Sequence, residues 1–451
     1  MSKSLFNDFE GVSSKAWKQK IQVDLKGADY NDTLIWKTNE GIDVKPFYHP
    51  DEFDSLPEVS NSKATEWKIC QSITVEDAKE ANKTAINAIE RGAESILFIV
   101  TSEDISVEDL LKNITCPVEL KCEFLSESFS TNLKAINSEL TLHTDIIGNL
   151  AKTGNWYSNL KEDHEKFDAI VKTTNQFSID SSLYQNAGAS IIQQLAYGMA
   201  HANEYLNHLD SIISSEAKST LDITFNVSVG SNYFFEIAKL RALRQLWSAL
   251  ANEYSMNTDC KIIATPSKRN KTIYDYNVNL LRTTTECMSA ILGGANVVCN
   301  SPYDALYHKS NEFGERISRN QLLVLKNESY FDKVNNPADG AYYIESLTEQ
   351  LAEKALALFK DIEANGGFLH QLKEGTIQRK IKESAAKEQA DFDAEKLVLL
   401  GTNKHPNPND KMKNDLEISP FLEIKKRKTL IEPIVKKRLS EKLETKRLKE
   451  E

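Results

Sequence analysis

The feature that most constrains this chain is an alternation, from about residue 64 to residue 300, of short apolar runs with long amphipathic stretches. Candidate strands at 95–100, 118–125, 167–173, 221–229, 260–265 and 295–300 are separated by helical patterns at 75–91, 189–213, 234–255 and 275–292. A strand followed by ten or more helical residues cannot close a hairpin, so successive strands pair in parallel as βα units of an α/β fold. Their spacing, over roughly 330 residues, predicts a (β/α)8 TIM barrel, with an open doubly wound sheet as the alternative. The run 221–229 bears on the choice: Ile223, Phe225, Val227 and Val229 alternate with Asp222, Thr224, Asn226 and Ser228. A period of two puts the polar set on one face. Strands of an open α/β sheet are covered on both faces and read apolar throughout. A polar face fits a barrel whose lumen is wet or holds a polar ligand, or else an antiparallel strand with one solvated side.

Around this unit the chain divides into three parts. Residues 1–60 form an N-terminal arm with a short helix from Trp17, too short to bury Trp17, Ile21 and Leu25 by itself, so it must pack on the main body or on another chain. Residues 61–400 are the barrel with a helical C-terminal extension, in which Lys396–Leu400 is a candidate last strand. Residues 401–451 read as an Asn/Pro-rich linker and a charged tail whose clusters at 425–428 and 436–438 belong to a solvated face. In the helix 234–250, Ile237, Leu240, Leu243, Trp247 and Leu250 form the stripe that packs on a sheet, leaving Lys239, Arg241 and Arg244 to solvent or a partner.

Composition narrows the function. With 55 Lys+Arg against 66 Asp+Glu, a net charge of -11 repels phosphate backbones, so nucleic acid is not an expected partner. Six cysteines without a CxxC pair read as buried thiols in a reducing compartment. No stretch has the roughly 20 apolar residues that cross a bilayer, and the N-terminus lacks a signal peptide's apolar run, so no membrane and a cytoplasmic location are expected. Signatures of P-loops, Rossmann turns, zinc proteases and serine elbows do not occur. Among the eight histidines, His201 and His208 share a helix face without carboxylates at ligand spacing, so both read as packing or surface residues and no metal site is expected. The segment 179–189, with Tyr184, Gln185 and Asn186, ends a strand and enters a helix, which in a barrel is the active-site end. None of the three titrates near neutrality, so acid–base chemistry there would be poor. Asn186 is equally readable as a helix cap.

Four stretches carry a resemblance. WKQKIQVDLKGADYNDTLIWKTNEGIDVKPFY (17–48), AGASIIQQLAYGMAHANEYL (187–206), SNYFFEIAKLRALRQLW (231–247) and NVNLLRTTTECMSAILGGANVV (277–298), the last continuing through RISRNQLLVLKNESYFDKVNNPADGAYYIESLT (316–348), are similar in order and spacing to the methylmalonyl-CoA mutase family. The resemblance runs to about residue 400. It implies a coenzyme A-dependent barrel that encloses an acyl-CoA, followed in the family by an adenosylcobalamin-binding domain with an Asp-x-His-x-x-Gly motif. That motif does not occur in these 451 residues.

Two departures lie inside the barrel. Where the family's catalytic chains carry Tyr-His before the Ala-Gly-Ala, with the histidine at the thioester carbonyl, this chain has Tyr184-Gln185 and a shorter link to Ala187. Where they carry Arg-x-Tyr-Ala-Gly near the first strand, this chain has Trp67-Lys-Ile-Cys70-Gln71-Ser72, without the tyrosine beside the reacting radical. A neutral amide can polarise a carbonyl but cannot move a proton. Without bound cobalamin there is no radical source. The resemblance therefore implies a noncatalytic small subunit, as in the family's heterodimeric bacterial enzymes. Such a chain has no catalytic residues and binds no cofactor, while adenosylcobalamin sits in the large subunit that is its partner. Tyr184, Gln185 and Arg282 would line a vestigial substrate pocket, with acyl-CoA as a further ligand. Arg282 is equally placed to pair with Glu286 four residues on.

Overall fold

The computed structural model describes residues 10–55, 60, 62–137, 139–421 and 427–451. Eight parallel strands form the centre: β1 (Lys68–Val75), β2 (Ser95–Val100), β3 (Val118–Cys122), β4 (Thr141–His143), β5 (Gln176–Asp180), β6 (Asp222–Val229), β7 (Lys261–Pro266) and β8 (Val297–Cys299). Except across the β4–β5 seam each pairs with its sequence neighbours, and β8 returns to β1 with Cys299 opposite Cys70. Between β4 and β5 the ring closes through the Ser178 amide donating to the Thr144 carbonyl at 3.1 Å. This is the (β/α)8 barrel that the βα alternation predicts.

Outward-facing residues of the strands meet the surrounding helices. Phe225 packs edge-on against Trp247 at 5.6 Å, and Trp247 is buried, as its place in the stripe requires. Truncating such a side chain to alanine costs about 3–5 kcal/mol. The helix that carries it, Tyr233–Glu253, is covered from outside by Tyr342–Ala364. That second layer overturns the solvated reading of the helix's basic residues. Arg241 pairs with Asp339 and Glu345, Arg244 donates to the Cys260 and Gly294 carbonyls at 2.7 and 2.6 Å, and Lys239 is 3% exposed.

Two strand assignments also change. Residues 167–173 lie in the helix Leu160–Thr174, because Phe167, Ile170, Val171 and Thr174 recur every three and four residues and line its buried side. The fifth strand is the following Gln176–Asp180. Residues 396–400 add no strand to the barrel; Leu400 makes an isolated bridge with Lys404.

Residues 427–451 are not a solvated tail. From 427 to 440 the chain straps the C-terminal face of the barrel, with the Leu430 and Ile431 amides donating to the Gly154 carbonyl (2.9 and 3.1 Å), Ile434 to Ala151 (2.8 Å), Lys437 to Asn186 (3.0 Å) and Leu439 to Arg269 (2.9 Å). Ile431, Ile434 and Leu439 are buried beneath it. Gly154 has φ +82°, and a Cβ there would stand 2.7 Å from the Ile431 carbonyl, so glycine is needed for the close approach. The many charges of this segment point to solvation, whereas the apolar Ile431, Ile434 and Leu439 set the packing. Lys425 and Lys426 of the first basic cluster lie outside the described residues.

The arm divides in two. Its inner part joins the core: Ile42 and Tyr30 are buried, and the Glu40 carboxylate accepts from the Ile191 and Ile192 amides at 2.9 and 3.1 Å, capping the helix Ile191–Leu209. Its outer helix, Ser14–Asp24, has no buried residue; Trp17 stacks on Phe47 at 4.5 Å and is still 46% exposed. Residues 1–9 and 56–59 of the arm lie outside the described residues.

Candidate functional site

Side chains alternate along each strand, so Cys70, Leu97, Glu119, Lys121, His143, Asp180, Thr224, Asn226, Lys261, Ile263, Val297 and Cys299 point into the barrel. Its β7–β8–β1–β2 side is apolar. Its β3–β6 side is polar, and of the predicted polar face Asn226 bonds to His143 and Ser228 accepts from Asn186, while Asp222 is exposed. Lys261 on β7 crosses the axis to Glu119 on β3, four strands away, and also donates to the Thr141 hydroxyl at 3.2 Å. Glu119 contacts His143 Nε2 at 3.1 Å, and Asn226 closes the chain at 2.9 Å from His143 Nδ1. Nearer the C-terminal face Lys121 donates to Asp180 at 2.6 Å. Burial raises the cost of the Glu119 charge, yet His143 and Lys261 more than offset it and hold the carboxyl below its ordinary range. The lumen is spanned by ion pairs.

The Trp67–Ser72 stretch supplies the start of β1. Cys70 lies in the lumen beside Cys299, and that contact together with burial holds its thiol well above the usual range. Cys70 is therefore not activated as a nucleophile.

At the C-terminal face β5 ends in the short helix Ser182–Ala187, which presents Tyr184 and Gln185 in different directions. Tyr184 is fully buried and faces away from the mouth: its hydroxyl lies 2.9 Å from His201 Nδ1, while His201 Nε2 lies 2.9 Å from Asp145. His201 is thereby a packing residue, and His208 pairs with Asp168. Gln185 turns toward the loop after β6. Its Nε2 donates to Glu236 (3.2 Å) and its Oε1 accepts from Lys239 (3.0 Å), which also donates to Gln194 (3.1 Å) and to the Ser228 carbonyl (2.7 Å). Glu236 and Lys239 form an ion pair with side chains each 3% exposed. Asn186 caps no helix; it ties Ser228 to the Ser267–Lys268 turn.

Gln185 borders a cavity of about 210 Å³ at the barrel mouth, walled by Gln194, Glu236 and Asn270 and roofed by Glu40 of the arm, Glu388 and Leu439. Gly188, at φ +98°, lies on its wall where a Cβ would stand 2.8 Å from the Arg269 guanidinium. Tyr184 and Arg282 do not border this cavity. Arg282 donates to Thr272 and Asn279 (3.0 and 2.8 Å) and to the Leu400 carbonyl (2.7 Å). Glu286 is instead held by Lys271 at 2.7 Å and by Asn270 at 2.6 Å. The three residues therefore do not share one pocket. The groups that lock Gln185, namely Glu236 and Lys239, had a signal in the sequence, two charges one turn apart on a helix with apolar residues on every side.

A family model described as methylmalonyl-CoA mutase matches residues 130–450. The chain is 34% identical to the methylmalonyl-CoA mutase small subunit of Porphyromonas gingivalis, over 89% of this chain and 71% of that protein. It is 28% identical to the methylmalonyl-CoA mutase of Cereibacter sphaeroides, over 86% of this chain and 64% of that protein. It is also 28% identical to the methylmalonyl-CoA mutase small subunit of Propionibacterium freudenreichii subsp. shermanii, over 81% of this chain and 64% of that protein.

Proposed function

The chain belongs to the methylmalonyl-CoA mutase family, and on that premise we propose that it is the noncatalytic small subunit of a heterodimeric mutase. In this reading it stabilises a large subunit that carries adenosylcobalamin and interconverts methylmalonyl-CoA and succinyl-CoA, in the cytoplasm. Two of the relatives are themselves described as small subunits, which supports the assignment. The observation that carries it is the Lys261–Glu119 pair across the barrel axis, because an acyl-CoA enclosed by the barrel needs the space these side chains fill.

The mouth argues in the same direction. Barrel enzymes work at the C-terminal face. Here that face is strapped by 427–440, and Gln185, in the place of the family's histidine, is bound at both ends by a buried ion pair. Opening the Lys239–Glu236–Gln185 set to a substrate would leave charges uncompensated in a dry site. These residues do not fit a cobalamin presented over the mouth, so we place the cofactor in the partner and assign no step of the reaction to this chain. Remnant substrate contacts reduce to the Gln185 end of the 210 Å³ cavity.

Co-expression with a large chain bearing the Asp-x-His-x-x-Gly motif tests the proposal. A stable one-to-one complex is expected, with turnover that survives Gln185→Ala in this chain. Independent migration of the two chains, or turnover lost in that variant, contradicts it.

A further inference from the structure

The turn between the helices Tyr342–Ala364 and Gly367–Lys373 contains the chain's one asparagine followed by glycine, Asn365–Gly366. Asn365 is exposed. Its backbone amide closes the last turn of the first helix on the Asp361 carbonyl at 3.1 Å, and its side-chain amide donates to the same carbonyl at 2.7 Å and to the Asp361 carboxylate at 3.2 Å. The fold dictates the glycine that follows. Gly366 has φ +96°, the left-handed conformation that ends a helix, and a Cβ on it would stand 2.7 Å from the His370 ring. Gly367, at φ +83°, is as tightly constrained, since a Cβ there would stand 2.9 Å from Glu204 Oε1, which accepts from the Leu369 amide at 2.8 Å. The turn thereby seats Phe368, fully buried and stacked on His201 at 5.4 Å, the histidine that joins Tyr184 to Asp145. An exposed Asn-Gly pair is thus joined directly to a side chain of the core.

We propose that Asn365 is a self-modification site: the Gly366 amide nitrogen attacks Asn365 Cγ, the Cγ–Nδ2 bond breaks, and water opens the resulting cyclic succinimide to aspartate or isoaspartate. The nitrogen's proton leaves with the side-chain amine as ammonia, a water is taken up, and no oxidant or reductant is used. Glycine favours the attack because no side chain shields its nitrogen, and the bond that the Gly366 amide makes, to the Glu363 carbonyl at 3.2 Å, is at the long end of the usual range. Both products place a carboxylate where an amide donated to Asp361, four residues back on the same helix face and at the negative end of the helix dipole. Isoaspartate also routes the main chain through the former side chain, which adds a methylene to the turn that seats Phe368. The enzyme class that reads such a site is an S-adenosylmethionine-dependent isoaspartyl carboxyl methyltransferase, acting on the α-carboxylate that isoaspartate leaves free. The inference rests on this turn alone and stands whether or not the chain is a small subunit.

Peptide mapping of the full, folded chain after incubation at 37 °C and pH 8 tests it. The tryptic peptide 361–373 is expected to gain the mass difference between an amide and an acid and to contain isoaspartate, forming faster at pH 9 than at pH 7 because the attacking nitrogen must lose its proton. An isoaspartyl methyltransferase supplied with labelled S-adenosylmethionine labels the aged wild-type chain and leaves the aged Asn365→Gln chain at the level of fresh protein. Asn365→Asp, which carries the new charge without the added methylene, stays unlabelled and lowers Tm by about 1–2 °C, whereas the Tm of the aged wild-type chain falls further. Asn365 unconverted in the folded chain, equal labelling of Asn365→Gln, or an aged wild-type chain with the Tm of fresh protein overturns the proposal.

Discussion

The amide of Gln185 is held at one end by the Glu236 carboxylate and at the other by the Lys239 ammonium. Removing one member of such a buried pair leaves the other charge uncompensated, so Lys239→Met should cost about 3–5 kcal/mol in urea denaturation, and adding Glu236→Leu should recover much of it. Asp180 gives a second prediction. Burial disfavours its charge, but Lys121 and Lys436 hold the carboxyl well below the usual range. Its stabilisation is present above the unfolded-state value of about 3.9 and is lost as pH falls toward the lower folded-state value, so Asp180→Asn should flatten the acid limb of a stability–pH profile. Tyr184 and Gln185 were legible in the sequence as a departure from a known pattern. Their surroundings were not, because Asp145, His201 and the Glu236–Lys239 pair reach them from three other segments that only the fold brings together.

Among elements, the arm and the strap were the least legible, since neither has the periodicity that identifies a strand or helix. The strap's role follows from its main-chain bonds to Ala151, Gly154, Asn186 and Arg269 and from three buried apolar side chains. Ile434→Ala should cost about 2–4 kcal/mol and make the segment 427–440 the first site of limited proteolysis. The arm's outer part keeps Val12 60%, Trp17 46% and Val23 72% exposed although its inner part is anchored through Ile42 and Glu40. An anchored but uncovered segment with exposed apolar side chains is what a partner contact requires. Deleting residues 1–45 should therefore lower the yield and stability of the co-expressed complex, and an unchanged complex would remove the arm from the interface. The barrel was most legible from β6 to β8, where helices of fifteen or more residues separate the strands, whereas the three-residue strand Thr141–His143 and the short helices Val107–Leu111 and Ile146–Thr153 left no periodicity long enough to read. The run 167–173 misled because four apolar residues in seven satisfy a strand pattern when the helical spacing of Phe167, Ile170, Val171 and Thr174 is overlooked.

The whole molecule is a closed barrel whose lumen is spanned by its own ion pairs and whose mouth is covered by its own C-terminal segment. The alternation of strands and helices made the barrel readable. Its filled centre was not readable, because Lys261 and Glu119 are 142 residues apart and meet only when the eight strands close. Two properties should follow for the isolated chain: no heat on titration with coenzyme A at the lumen, and no reaction of its own. The most direct measurement is adenosylcobalamin-dependent conversion of methylmalonyl-CoA by the purified chain alone, compared with the same chain in complex with a large subunit. The account predicts turnover in the complex and none in the isolated chain; product formed by this chain alone, with adenosylcobalamin retained on it, would contradict the account.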